Sequence, residues 1–221
     1  MISTLHLKMF RDLWGMKGQA LAIAVVMAGG VATFVMSRTV LEALLLTQAT
    51  FYRDYQFADV FVSLKLAPNS MGARLAEIPG IQTVETRVIA AANVEVEGFG
   101  RPASAEIVSV PDHGQPLLNQ LYLKRGRLVD STKDNEVVIS EAFAIAHKLE
   151  PGSHVLATIN GRRRRLAIVG VAVTPEYIYQ VQPGALIPDF STFGIFWMAR
   201  RPLEAAFDMD GAFNNAVMRL G

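Results

Sequence analysis

The chain has 221 residues, 51% of them hydrophobic and 19% charged, with no cysteine and a net charge of +1. This apolar content argues against disorder, and the balanced charge leaves no electrostatic footprint for nucleic acid. The missing cysteines exclude a disulfide scaffold, a zinc ribbon, an iron–sulfur site and a thiol nucleophile.

The chain opens on an amphipathic pattern. Leu5, Met9, Phe10, Leu13 and Trp14 share one helical face, opposite Lys8, Arg11 and Asp12, so residues 4–15 predict a short helix lying at a membrane surface. From Gly18 to Ser37 no charge occurs, and the stretch is bounded by Lys17 and Arg38. At 1.5 Å per residue, ~20 residues cover the ~30 Å hydrocarbon layer of a bilayer. Gly29-Gly30 would weaken a soluble helix but suits a membrane helix approached closely by a neighbour. A transmembrane helix over 18–38 is the expectation. A cleaved signal peptide and a buried core helix are the rival readings; the first has a shorter apolar region, the second is disfavoured by so long an uncharged run. Lys8, Arg11 and Lys17 precede the span, and Arg38 and Arg53 follow it, so residues 1–17 are expected to be cytoplasmic.

Leu41, Leu44, Leu45, Gln48, Phe51, Tyr52 and Tyr55 continue the helical spacing, which predicts a stalk over 39–55. Residues 56–221 read as an α+β domain. Asp59–Leu66 alternates as a half-buried strand, with Val60, Val62, Leu64 and Leu66 facing inward. Pro68-Asn69-Ser70 opens a short helix bearing Met71, Leu75 and Ile78, closed by Pro79-Gly80. One long or two short strands are expected over 82–97, then strands at 104–110 and Glu136–Ile139. Ser140 is expected to cap a helix carrying Phe143, Ile145, Ala146 and Leu149. Asn160-Gly161 between Val155–Ile159 and Arg162–Val173 predicts a two-residue hairpin. Its register pairs Ile159 with Arg162 and Leu156 with Arg165, which suggests that neither face at the tip is dry. Val181–Ala199 is apolar, but Pro183, Pro188 and Asp189 prevent a second spanning helix. A helix near 202–207 and a strand at 213–220 complete the expected elements.

The order of these pieces carries a resemblance. Arg11-Asp12-Leu13-Trp14 leads through Gly18-Gln19-Ala20 into one span and a stalk. Later, Glu136-Val-Val-Ile-Ser-Glu-Ala-Phe-Ala is followed by His147-Lys-Leu-Glu-Pro-Gly, and Asn160-Gly161 by Leu166-Ala-Ile-Val-Gly-Val. The chain thus resembles the N-terminal part of FtsX/MacB/LolC-type ABC transporter permeases, from first transmembrane helix to periplasmic core domain. The resemblance spans the whole chain and is most specific over 136–171. It implies a bacterial inner-membrane permease subunit that hydrolyses nothing itself and whose main domain is periplasmic. The implied partners are a separate cytoplasmic ABC ATPase, a second permease copy or subunit and membrane lipid, with a periplasmic adaptor as a further candidate. Substrates in the family include lipoproteins, lipids, drugs and peptides, and some members act on regulators of cell-wall hydrolases. Such permeases carry further membrane helices after this domain, so the sequence reads as a fragment whose domain is incomplete. A single-pass envelope-anchored binding or scaffold protein is the alternative, and an anchored envelope enzyme the third reading.

Chemical motifs are missing. No G-x-x-x-x-G-K-[ST], H-E-x-x-H or G-x-S-x-G occurs. The histidines at 6, 113, 147 and 154 offer no ligand pair on one helix face, and Asp189, Glu204, Asp208 and Asp210 read as solvated acids. No catalytic, cofactor or metal residue is therefore expected. The Arg162–Arg165 run reads either as a solvated tip or as a basic finger for an anionic surface.

Overall fold

The computed structural model describes residues 14–182 and 184–221 together with Lys8, Met9 and Arg11. The surface helix expected over 4–15 therefore lies largely outside the described residues. The chain divides into two compact units, residues 1–50 and 51–221.

The first unit is built on helix α1, Lys17–Asp54, whose last turn enters the second unit. The expected span and stalk are one unbroken helix. It is long and apolar enough to cross a membrane, and none of its residues is buried within the protein. Several of its hydroxyls are satisfied internally: Thr33 donates to Gly29 O at 2.9 Å, Ser37 to Thr33 O at 2.9 Å and Thr47 to Ala43 O at 2.8 Å. Such back-bonding lets a polar side chain sit in hydrocarbon without an unpaired donor. The first charges beyond the apolar stretch, Arg38 and Glu42, pair at 3.1 Å.

The second unit holds two sheets. The smaller has the order β1-β10-β2, where β1 is Val60–Pro68, β2 Ile81–Arg87 and β10 Ala212–Leu220. Helix α2, Ser70–Ala76, connects β1 to β2. The larger sheet contains β3 (Ile89–Glu95), β4 (Ala103–Val110), β5 (Tyr122–Gly126), β6 (Glu136–Ser140), β7 (His154–Ile159), β8 (Arg162–Val173) and β9 (Phe193–Ala199). Its order is β5-β8-β6-β9-β4-β3-β7, and β7 also pairs with β8. The pairing of β3, β4, β9, β6, β8 and β7 therefore closes on itself, with β5 added on β8. Closure removes most sheet edges, the sites where unpaired backbone invites aggregation. Helices α3 (Glu141–His147) and α4 (Arg200–Ala206) complete the unit.

Side-chain alternation splits the core in two. Ala105, Ile107, Ile139, Ile168, Phe196 and Met198 belong to the main cluster; Val108, Val138, Ile195 and Trp197, of opposite parity, form a second. Each large apolar side chain so buried contributes roughly 1.5–3 kcal/mol. Strand β9, Phe-Gly-Ile-Phe-Trp-Met-Ala, is buried at all seven positions because it lies between β6 and β4 and faces both clusters. At Gly170 in β8 an added Cβ would lie 2.4 Å from Arg127 O, so only glycine allows the chain after β5 to pass so closely.

Four expectations need correction. Strand β1 is an edge, not a half-buried alternating strand: Val62 is exposed and Leu66 is 61% exposed. Ser140 occupies the helix N-cap position but makes no capping bond; its hydroxyl donates to Gln180 Oε1 at 2.9 Å and accepts from Ile195 N. In α3 only Phe143 and Ala144 are buried, while Ile145 and Ala146 face outward. The hairpin register is as expected, with Asn160 and Gly161 both at positive φ, but the tip does not project wholly into water. Ile159 and Ala157 are buried, and Asn160 Nδ2 donates to Ala206 O.

Candidate functional site

A dense polar network in the second unit lies where α1 ends. Its last turn closes as a Schellman motif: Phe57 N donates to Tyr52 O at 2.8 Å and Gln56 N to Arg53 O at 3.3 Å. The position that usually takes glycine is Gln56, at φ +52. A non-glycine residue in the left-handed region costs of order 1–3 kcal/mol and persists only where its surroundings hold it. The Gln56 side chain supplies part of that hold, donating to Arg53 O at 3.0 Å and accepting from the Arg219 guanidinium of β10.

A loop grips the four residues after the helix. Asn119 N donates to Gln56 O and Gln120 N to Tyr55 O, each at 2.9 Å. Asn119 is itself left-handed, at φ +51, and 3% exposed. Its Oδ1 accepts from Ala58 N at 2.9 Å, and its Nδ2 donates to Glu176 Oε2 at 2.8 Å. Ala58, Leu118 and Val217 form a small apolar cluster under the grip, and Tyr55 packs on Tyr122 with ring centres 5.4 Å apart.

The grip reaches both sheets through buried charge. Arg87 lies at the end of β2, just before Val88 carries the chain over to β3. Its guanidinium donates to both Glu176 oxygens, at 2.5 and 2.7 Å, and twice to Asn215 Oδ1 of β10. Burial works against the Arg87 cation, but the hydrogen bonds and charge of Glu176 outweigh it and hold the guanidinium above its ordinary value. Next in sequence, Tyr177 donates to Glu106 Oε1 of β4 at 2.7 Å; burial, then the Glu176 and Glu106 charges, push its phenol well above the usual range. Glu85, two residues before Arg87, accepts from Leu118 N at 2.8 Å. One connected set of bonds therefore joins the helix end, the 115–121 loop, the small sheet and the closed sheet. Its chemistry is that of a clamp. Gln56, Arg87, Asn119 and Glu176 all spend their side-chain bonds on protein partners.

The residues weighed from sequence are dispersed. His6 lies outside the described residues. His113 is in the loop after β4, His147 Nε2 lies 2.8 Å from Ser191 O, and His154 begins β7. Asp189 binds Ser191 in its own turn, and Glu204 accepts from Arg200 at 2.6 Å. Among the described residues no group of three His, Asp or Glu side chains converges as metal ligands. The Arg162–Arg165 tip is partly neutralised, with Arg163 paired to Glu95. Sequence reasoning missed Asn119, Arg87, Glu176 and Asn215. The one available signal was Arg87 itself, a charge followed at once by the apolar run Val88-Ile89-Ala90.

No family model matches the chain, and no curated protein matches it either. The chain is similar to the extracellular domain of the ABC-type transporter YknZ from Gram-positive bacteria, at 12% identity and a TM-score of 0.47, over 72% of this chain and 81% of that one. It is also similar to the periplasmic region of MacB from Actinobacillus actinomycetemcomitans, at 16% identity and a TM-score of 0.42, over 72% and 66% of the two chains.

Proposed function

We propose that this chain is the membrane anchor and extracytoplasmic domain of a permease subunit in an ABC-type transport or mechanotransmission complex. In this reading residues 1–17 are cytoplasmic, 18–38 span a bacterial inner membrane, 39–55 form a stalk and 56–221 lie on the far side. A separate cytoplasmic ATPase supplies the energy, a second permease copy or subunit completes the path, and a substrate is exported or extracted at the envelope. The chain itself is not an enzyme.

The observation that carries the reading is α1. An uncharged stretch long enough for a bilayer runs on without proline to a helix end whose following residues are gripped by hydrogen bonds. A helix so terminated can pass on displacement, because moving its end requires breaking several bonds together. The order of motifs over 136–171 supports the family, and the absence of a phosphate-binding loop supports an ATPase elsewhere. The test is a Gly-Pro insertion after Thr47 in the assembled permease complex. Transport falls to background while the outer domain keeps its unfolding temperature; undiminished transport contradicts the coupling.

A further inference from the structure

Independently of the transport reading, we propose that Glu85 is a proton-operated lock on the 115–121 loop and hence on the grip around the helix end. Glu85 is 9% exposed and accepts from Leu118 N at 2.8 Å. The next two residues, Asn119 and Gln120, make the backbone bonds to Gln56 and Tyr55. A change at this carboxyl is thus felt one residue from the grip.

Among the described residues none makes an ion pair with Glu85. Arg87, on the same strand, is committed to Glu176 and Asn215. Arg200, from α4, is committed to Glu204, Thr86 and Asn69. Asp112 and His113 face Glu85 across a cavity of about 470 Å³, lined also by Ser109 and Gln115. Beyond Arg87 lie Glu176 and Tyr177. Burial raises the Glu85 carboxyl above its ordinary value; the Leu118 N–H, Arg87, the Leu117 N–H and Arg200 oppose it in that order and do not cancel it.

The sign follows from linkage. A carboxyl raised by burial contributes its full stability to the closed state below its ordinary value of 4.5, and loses it as pH rises through the raised value. The neutral form therefore favours a closed loop. The ionised form gains by swinging toward the cavity, where water solvates it. The grip is tightest below 4.5 and loosens as pH rises through the raised value.

The test is hydrogen exchange on the full chain in detergent micelles, corrected for intrinsic exchange chemistry, at about pH 4 and about pH 8. Residues 115–121 are followed, with β9 as internal reference. Protection of the loop relative to β9 falls several-fold across this interval in the wild type. It stays level in Glu85→Gln, which mimics the neutral form, and falls as in the wild type in His113→Asn, which removes the imidazole at the cavity. Level protection in the wild type, a slope surviving in Glu85→Gln, or a slope abolished by His113→Asn overturns the proposal. So does loss of β9 protection in Glu85→Gln, because the neutral form is the one that closes the loop.

Discussion

Gln56 and Asn119 are both left-handed and bonded to each other, so each is held by the contact that the other makes. Removing the Asn119 amide leaves Ala58 N–H buried without an acceptor and takes one donor from Glu176. An unpaired buried donor alone costs about 1–3 kcal/mol. Asn119→Ala is therefore expected to destabilise the second unit by about 2 kcal/mol or more, read from urea unfolding. Arg87→Met is expected to cost about 3–5 kcal/mol, since it strands Glu176, whereas Arg87→Met combined with Glu176→Met recovers most of the loss. A double variant as unstable as the single one would show that the ion pair is not what holds the sheets. These residues were not legible in the sequence. The bonds of Arg87 to Asn215 and Glu176 span 128 and 89 residues, and no local pattern announces a partner so far away.

The hairpin is the element that local chemistry specifies most fully. Asn160-Gly161 set both the turn and the register, down to Leu156 opposite Arg165. Gly161 has φ +74, and an added Cβ meets nothing within 4 Å, so the cost of a side chain there is backbone strain. Gly161→Val is expected to destabilise by about 1 kcal/mol or more. Replacing Arg163 and Arg164 together by Ser should change stability by no more than about 0.5 kcal/mol, because the Arg163–Glu95 pair is exposed on both sides. At the start of β6, Glu136 accepts from Arg127 at 2.6 Å through both oxygens, and also from Lys133 and Asp130 N. The Arg127 bonds lead in lowering its carboxyl from 4.5 to about 2, against the opposing effect of burial. The stability it contributes is present above 4.5 and lost as pH falls toward 2, the reverse of Glu85. Glu136→Gln should accordingly flatten the fall of unfolding temperature across that acid range; an unchanged slope would contradict the assignment. Strand β9 escaped the sequence reading because burial on both faces erases alternation, and β5 because it is short and mostly exposed. Strand β1 alternated in sequence yet stayed exposed, since alternation does not show whether another layer covers either face.

At the scale of the whole chain, the α+β class and the long apolar helix were legible from composition and periodicity. The closed sheet was not, because closure depends on β7 pairing with both β3 and β8. The central claim is that the helix crosses a bilayer and places residues 56–221 beyond it. The absence of native cysteine allows a direct measurement. Single cysteines replace Met16, before the uncharged stretch, and Leu186, which is 95% exposed in the second unit. Cells with an opened outer envelope are then treated with a membrane-impermeant thiol reagent. Leu186→Cys is expected to react in intact cells and Met16→Cys only after the inner membrane is permeabilised. Reaction of Met16→Cys first, or of both only after permeabilisation, would contradict the topology and the extracytoplasmic role built on it.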